Sequence, residues 1–388
     1  MRQATIVGAG ITGATIARML AENDFKVIVI DKRDHIGGNL YDEIDSKNSL
    51  LIQKYGPHIF HTNKEDVYKF LSRFTVFLDY EHRVLGNING KFVPIPFSLR
   101  SVDEYFSNDE ARKIQFELSK EFDFGSTITL DMLRSSNNET VRKLGDWIYK
   151  NVFKKYSKKQ WGFDPKYLQK SIVDRIPFKF SYEDKYFQDK YQGMPKLGFT
   201  NLIKNMLRHE NIDVRLNTDA KDFLNLSEKK ISIFQNCSVG VSPLVIYTGS
   251  IDELFDYKYG KLDYRTLDFE FKTLQKPSFQ SRAVVNYNTS KRYTRITEFK
   301  KFPYFRESPT NTTVICKEYP RKHKRKDIPY YPIESDKMLA LYNRYIEETV
   351  KYRNLFVAGR LGAYKYMNID VAVEQAMFLA KILINDFR

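Results

Sequence analysis

Apolar residues change their period several times along this chain, and each change marks an element. Thr5 to Val7 form a short buried-type run, Gly8 to Gly13 interrupt it, and Ala14 to Glu22 take up helical spacing before Val27 to Ile30 resume the run. This order predicts strand, turn, helix and strand, a βαβ opening. From Ser101 to Trp161 the apolar positions Leu130, Leu133, Val141, Leu144, Trp147 and Ile148 recur at helical intervals among charged residues, which predicts a helical insertion. Between Tyr257 and Tyr319, runs such as RAVVNYNT and TTVICKEYP, with Pro and Asn at the joints, predict an antiparallel sheet. Near the end Asn354 to Ala358 read as a strand, Gly359 and Arg360 as a turn, and Val373, Ala376, Met377, Ala380 and Leu383 as one helical face. Residues 231–251 are notably uncharged, but Gln235, Asn236, Pro243 and several Ser and Gly break the hydrophobicity. Two short buried strands are expected there rather than a membrane span.

Composition narrows the picture only a little. The 388 residues are 42% hydrophobic and 15% aromatic, enough for a large core and two or three domains. Lys and Arg number 63 against 48 Asp and Glu, a formal charge of +15 that suits an anionic partner such as a nucleotide, a nucleic acid or a lipid surface. The run Arg321 to Lys326, five Lys or Arg and one His, predicts a solvated loop. Two cysteines, Cys237 and Cys316, argue against a disulfide framework and fit a reducing cytoplasm. The apolar N-terminus is broken by its glycines and lacks a clear small-residue cleavage site, so it reads as structure rather than a signal peptide.

Candidate chemistry begins at IVGAGITGATIA. Gly8, Gly10 and Gly13 match the dinucleotide fingerprint: a tight turn, close approach of pyrophosphate and close packing of helix on strand. Ile11 and Thr12 open the helix, whose N-terminus faces phosphate, and Asp31 ends the next strand where a ribose-binding carboxylate is expected. Lys32 follows, and Gly37, Gly38 and Asn39 in DKRDHIGGNLYD resemble the second glycine signature of FAD proteins of the glutathione-reductase and amine-oxidase type, favouring FAD over NAD. His58 and His61 have no Cys, Glu or third His at ligand spacing, so no metal is expected. No nucleophile elbow or Cys-His pairing stands out, which leaves the hard chemistry to a cofactor.

The strings KYGPHIFHTN, KKYSKKQWG, DRIPFKFSYEDKYFQDKYQGMP, YTGSID, YTRITEFK, KEYP and GRLGAYKYMNID together resemble the bacterial UDP-galactopyranose mutase family, in order through nearly the whole chain and most weakly from Ser101 to Asn151. The resemblance implies an α/β protein of three parts: a discontinuous Rossmann-like FAD-binding domain (1–77, 197–253, 352–388), a helical domain with a mobile substrate loop (98–174, the loop near Lys154 to Gly162), and an antiparallel β-sheet domain (78–97, 175–196, 254–330). It implies a non-redox isomerisation that needs reduced FAD. Flavin N5 would act as nucleophile at the anomeric carbon while the nucleoside diphosphate leaves and returns, changing the ring from pyranose to furanose.

By the same resemblance Arg175 and Arg295 contact the diphosphate, a task suited to bidentate guanidinium groups. Tyr319 and Tyr366 hydrogen-bond it, and Tyr156, Trp161, Tyr186 and Asn286 surround the base. His61, as a candidate catalytic residue, and His82 approach flavin and sugar. His58, Ile59, Gly249 and Arg360 belong to the FAD site together with Tyr366, Asn368 and Ile369, the helix after Asn368 aiming its N-terminus at the flavin. Two departures bear on the substrate: Asn368 and Met367 stand in YMNI where the family has a YYDM-like string, and Val152 lies near a position often aromatic. The implied substrate is UDP-galactopyranose, converted to UDP-galactofuranose for a surface polysaccharide such as O-antigen. The alternative is dTDP-fucopyranose, and a more distant reading is an amine-oxidase-like FAD oxidoreductase. No nucleic-acid partner is expected, and a homodimer stays open.

Overall fold

The computed structural model describes residues 2–162, 177–226, 231–235, 238–241, 244–288, 291–305 and 311–387. The βαβ opening forms as the pattern predicts, as β1 (Arg2–Val7), α1 (Ile11–Ala21) and β2 (Phe25–Ile30). Next come β3 (Asp42–Asp45), β4 (Leu50–Gln53), β5 (Phe60–Thr62), α2 (Glu65–Ser72), β6 (Phe77–Asp79), β7 (Val84–Ile88) and β8 (Lys91–Ile95). The helical insertion holds α3 (Leu99–Tyr105), α4 (Asn108–Ser119), β9 (Thr127–Ile128), α5 (Leu130–Arg134), α6 (Glu139–Ile148), a π-helical turn (Tyr149–Lys154) and α7 (Lys155–Trp161). Its anticipated apolar stripe is real: Leu130, Leu133, Val141, Leu144 and Ile148 are all buried.

The remaining strands are β10 (Phe178–Lys179), β11 (Tyr191–Pro195), β12 (Ile212–Arg215), β13 (Leu224–Asn225), β14 (Ser232–Gln235), β15 (Ser238–Val241), β16 (Leu244–Tyr247), β17 (Tyr264–Leu274), β18 (Val284–Tyr287), β19 (Arg295–Glu298), β20 (Thr313–Lys322), β21 (Tyr331–Pro332) and β22 (Leu355–Val357). A five-stranded parallel sheet, in the order β12-β2-β1-β16-β22, draws on chain segments far apart in sequence. Its central strands are buried along nearly their whole length, as expected of a sheet covered on both faces. On one face α1 and the C-terminal helix Ile369–Asp386 pack together and bury alanines, Ala14 and Ala17 in one, Ala376 and Ala380 in the other. The opposite face holds a second apolar cluster that includes Ile30, Tyr247, Tyr345 and Tyr364.

The second large sheet has seven strands, ordered β21-β17-β20-β19-β18-β7-β8. It is antiparallel, as expected, except where β18 pairs with β7 in parallel. That pairing is available because β7 arrives from a remote part of the chain rather than through a hairpin. Two other expectations change. Residues 231–251 contribute three strands, β14 to β16, since Gln235 and Ser238 close a hairpin before the chain enters the parallel sheet. Gly359 and Arg360 start a short helix, Gly359–Gly362, instead of a turn. Among the described residues no helix is long and apolar enough to cross a membrane.

Candidate active site

A cavity of about 860 Å³ opens where the glycine turn meets the C-terminal helix. Gly8 takes a φ of +110°, and a Cβ there would lie 2.0 Å from the Thr248 hydroxyl. A Cβ at Gly13 would lie 1.9 Å from the Gly8 carbonyl oxygen, so Gly13 serves the packing of α1 on β1, as the fingerprint implies. Gly10, Ile11 and Thr12 line the cavity at the start of α1, with Gly37, Gly38 and Asn39 beyond them. Gly249 lines it too, and so do His58, Arg360, Asn368 and Ile369. Ile59 does not, being half-buried against the core. Asn368 is the N-cap of the C-terminal helix but makes no side-chain cap bond, and its amide is exposed at the cavity.

Several groups proposed for the cofactor already have protein partners. Asp31 lines the cavity, yet its carboxylate accepts the Ala9 N–H at 2.9 Å and the Arg33 N–H at 3.0 Å, tying the glycine turn to β2. Lys32 pairs with Glu253 at 3.0 Å. Arg360 donates to the carbonyl oxygens of Met367 (2.7 Å) and Tyr330 (3.3 Å). Arg33, absent from the sequence expectation, donates through Nη2 to Asn39 Oδ1 at 2.9 Å. Its buried Nη1 has no hydrogen-bond partner among the described residues, and the residue lines the cavity. A buried guanidinium nitrogen without an acceptor calls for one from a ligand. The glycine cradle, the helix N-termini and this orphan donor fit an elongated anionic dinucleotide.

Beside the cavity, strand register assembles a second group. Gly86, Asn286, Arg295, Glu318 and Phe269 are successive cross-strand partners on β7, β18, β19, β20 and β17, so they share one face of the sheet. Arg295 Nε lies 2.9 Å from Glu318 Oε2, and Glu318 is fully buried. Their alignment is poor for a directed bond: Arg295 Nε and both Glu318 oxygens lack hydrogen-bond partners among the described residues. Burial disfavours the Arg295 charge, but Glu318 more than offsets it and keeps the guanidinium protonated. Burial pushes the Glu318 carboxyl up against the pull of Arg295.

Aromatic residues enclose this pair. The hydroxyl of Tyr156 is pushed up by burial, with Arg295, Tyr186, Glu318 and Tyr331 near enough to act on it. Trp161 and Tyr366 both flank the Tyr331 ring, at 6.0 and 5.7 Å, and Arg360 lies 4.9 Å from the Tyr366 ring centre. His82, buried under Tyr186 (5.6 Å between rings), is lowered to about 3 by burial, then by Arg295 and His61. His58 is also lowered to about 3, by burial and then by Arg360 and Arg295. His61 stacks on Phe187 at 3.6 Å and sets Nδ1 2.8 Å from Asp189.

The structure thus gathers His58, His61, His82, Tyr156, Trp161, Tyr186, Asn286, Arg295, Arg360 and Tyr366 in one region. Arg175 lies outside the described residues. Tyr319 is a correction. One step along β20 from Glu318, it projects from the opposite face, where its hydroxyl donates to Glu270 at 2.6 Å. Glu318 and Tyr331 take the places that sequence reasoning missed. Strand alternation could have found Glu318, since it is opposite Arg295 in register, whereas nothing local marks Tyr331.

The basic run begins in a strand and continues as an exposed turn. Arg321 and Lys322 finish β20, Arg321 forks onto Asp327 at 2.5 and 2.8 Å, and His323, Arg325 and Lys326 line the cavity. Two acidic neighbours, Asp268 and Asp327, hold Arg321 in place, while Lys322, Lys324, Arg325 and Lys326 are exposed as expected of a solvated segment. Cys316 is a buried free thiol, and Cys237 lies outside the described residues. No cluster of metal-ligating residues occurs among the described residues.

Comparison with known proteins agrees with this geometry. The profile of UDP-galactopyranose mutases matches residues 151–366, and that of NAD(P)-binding Rossmann-like domains matches residues 6–74. Among curated relatives, dTDP-fucopyranose mutase of Escherichia coli is 36% identical, covering 100% of this chain and 99% of its own. A protein named "Probable UDP-galactopyranose mutase" of Klebsiella pneumoniae is 39% identical, covering 96% and 92%. UDP-galactopyranose mutase of Mycoplasma genitalium is 35% identical, covering 95% and 91%. A crystal structure of reduced UDP-galactopyranose mutase shares the fold, with a TM-score of 0.71 at 15% identity over 99% of this chain and 94% of that one. An oxidoreductase from Methanosarcina mazei also superposes, with a TM-score of 0.56 at 13% identity over 98% and 100%. The Rossmann-like cavity, the Arg295–Glu318 pair beside it and relatives that align from end to end make this chain a member of the UDP-galactopyranose mutase family.

Proposed function

We propose that this protein interconverts the pyranose and furanose forms of a galactose-type sugar nucleotide, with FAD held in reduced form along the glycine-lined cavity. The observation that carries the reading is the Arg295–Glu318 pair, a partly exposed cation held by a fully buried carboxylate within an aromatic enclosure next to that cavity. When bound and reduced, the flavin supplies a nucleophilic nitrogen for the anomeric carbon. The chain's own groups do the rest. Arg295 meets the negative charge that develops on the departing diphosphate, and it is held ready beforehand. Glu318 keeps that guanidinium charged and oriented, so that it costs little reorganisation when the charge arrives.

Tyr156, Trp161, Tyr186 and Asn286 enclose the base, and Tyr331 and Tyr366 offer hydroxyls to the diphosphate. Arg175 is proposed as a second diphosphate ligand from its string alone. Gly8, Gly10, Gly13, Arg33, Gly38, Asn39 and Arg360 are proposed for FAD, with Asp31 shaping the turn and offering its outer lone pairs to the ribose. His58 and His82, kept neutral, add no competing positive charge. Asn368 presents a neutral amide at the helix N-terminus, so only the dipole acts there.

UDP-galactose is the proposed substrate, acting in the cytoplasm. The second reading, dTDP-fucose, is favoured by the E. coli relative that aligns over all of this chain. Incubating the dithionite-reduced protein with UDP-galactofuranose and with dTDP-fucofuranose, then separating the nucleotides by chromatography, decides between them. Preferential conversion of the first supports the reading, preferential conversion of the second transfers it to fucose, and conversion of neither overturns both.

A further inference from the structure

Two cations act on α7, and neither has a carboxylate within ion-pair distance among the described residues. Lys159, half-buried, points its ammonium at the carbonyl oxygens of Tyr287, the last residue of β18, and of Lys291 (3.2 Å) and Tyr293 (3.1 Å), which precede β19. Arg265, on β17 and only 6% exposed, donates through Nε to the Gln160 carbonyl at 2.9 Å and through Nη2 to the Lys159 carbonyl at 3.1 Å. These carbonyls belong to the last turn of α7, where a cation complements the helix dipole. A third contact points the same way: the buried Asn288 amide donates to the Val152 carbonyl, in the π-helical turn before α7, at 2.5 Å. Gly162 caps the helix so closely that a Cβ there would lie 2.5 Å from the Arg265 guanidinium.

Helix α7 carries Tyr156 and Trp161. Arg265 is the cross-strand partner of Tyr331, the ring that Trp161 flanks. Charged side chains spent wholly on backbone carbonyls fix the position of a helix without placing a counter-charge near the site. We propose that Lys159 and Arg265 are positioning residues of the mutase site, clamping α7 to the seven-stranded sheet so that Tyr156 and Trp161 present a preformed aromatic wall to the nucleotide base. This rests on the sugar-nucleotide reading above. The clamp acts on substrate binding and leaves the reacting centre to other residues.

The test uses the flavin-loaded protein and the variants Lys159→Met, Arg265→Met and Lys159→Arg, comparing KM, kcat, flavin content and amide hydrogen exchange of residues 155–161. The clamp predicts that each Met variant keeps its flavin, raises KM by about tenfold or more and changes kcat by less than about threefold, a loss of uniform binding. Exchange in 155–161 should accelerate in both, and Lys159→Arg should restore KM to within about threefold of the parent. Unchanged exchange in the Met variants overturns the clamp while leaving the mutase reading intact. Accelerated exchange with unchanged KM, or a fall in kcat alone, overturns the positioning role. Failure of the parent protein to convert any sugar nucleotide overturns the reading on which the proposal rests, and the positioning role falls with it.

Discussion

At the scale of residues, the pair of Arg295 and the buried Glu318 is where structure and chemistry meet, and removing Arg295 alone strands a carboxylate away from water. Arg295→Ala should cost about 3–5 kcal/mol of stability because it leaves an uncompensated buried carboxylate. The double variant Arg295→Ala/Glu318→Gln should regain most of that stability in chemical denaturation and still fail to turn over. Recovery of activity in the double variant would remove Arg295 from the mechanism. Tyr319 and Tyr331 offer a sharper contrast. Tyr319→Phe should leave turnover within about threefold of the parent, since its hydroxyl serves Glu270 on the outer face, whereas Tyr331→Phe should lose about tenfold or more, the ordinary scale for a charge-assisted hydrogen bond. The reverse order would restore Tyr319 to the site.

His82, buried, and His58, half-buried at the cavity wall, set an acid limit. Both are lowered to about 3 from an ordinary value near 6.5, so between those values the unfolded chain binds protons that the folded one refuses. Stability linked to them is therefore fully present above about pH 6.5 and is lost as pH falls toward 3. Proton NMR should find both rings neutral at pH 5, and His82→Asn should flatten part of the acid limb of the stability profile. A ring at either position that titrates near 6.5 would contradict this account.

At the scale of elements, Gly13→Ala tests the βαβ turn. Its Cβ has no room against the Gly8 carbonyl, so α1 must move off β1 and the purified protein should lose its flavin absorbance. Retained flavin at full occupancy would show that the turn tolerates the shift. These elements were legible in sequence for a physical reason: β1, α1 and β2 are short and strongly periodic, and the β1–α1 turn is built of glycines with defined work. The stripe of α5 and α6 was legible for the same reason. The face of β20 was not read, because KEYP offers a tyrosine and a glutamate side by side, and only the register with β19 decides that Glu318 accompanies Arg295. The parallel pairing of β18 with β7 was equally hidden, since local pattern carries no information about a partner that lies far away in the chain.

At the scale of the whole molecule, the candidate site is assembled from segments spread between Gly8 and Ile369, each lending one or two side chains to a shared cleft. Family resemblance made most of these residues legible because it preserves the order of strings even where the fold brings them together by remote pairings. It could not reveal Tyr331, which is placed by a two-residue strand at the sheet edge, nor the use of Arg325 and Lys326 as cavity wall, since a basic run looks alike whether solvated or docked. What unifies the molecule is a dinucleotide fold whose cavity adjoins a fixed cation, an arrangement suited to rearranging a sugar while its nucleotide carrier is held. Net redox chemistry is the other use to which a protein can put a bound flavin. The direct test is conversion of UDP-galactofuranose by the protein in its dithionite-reduced and oxidised states, with product ratio and redox equivalents followed together. The account predicts rapid approach to the pyranose form by reduced protein alone, with no reductant consumed per turnover and no peroxide formed. Conversion that consumes reductant stoichiometrically, or that runs equally well in the oxidised state, would contradict it.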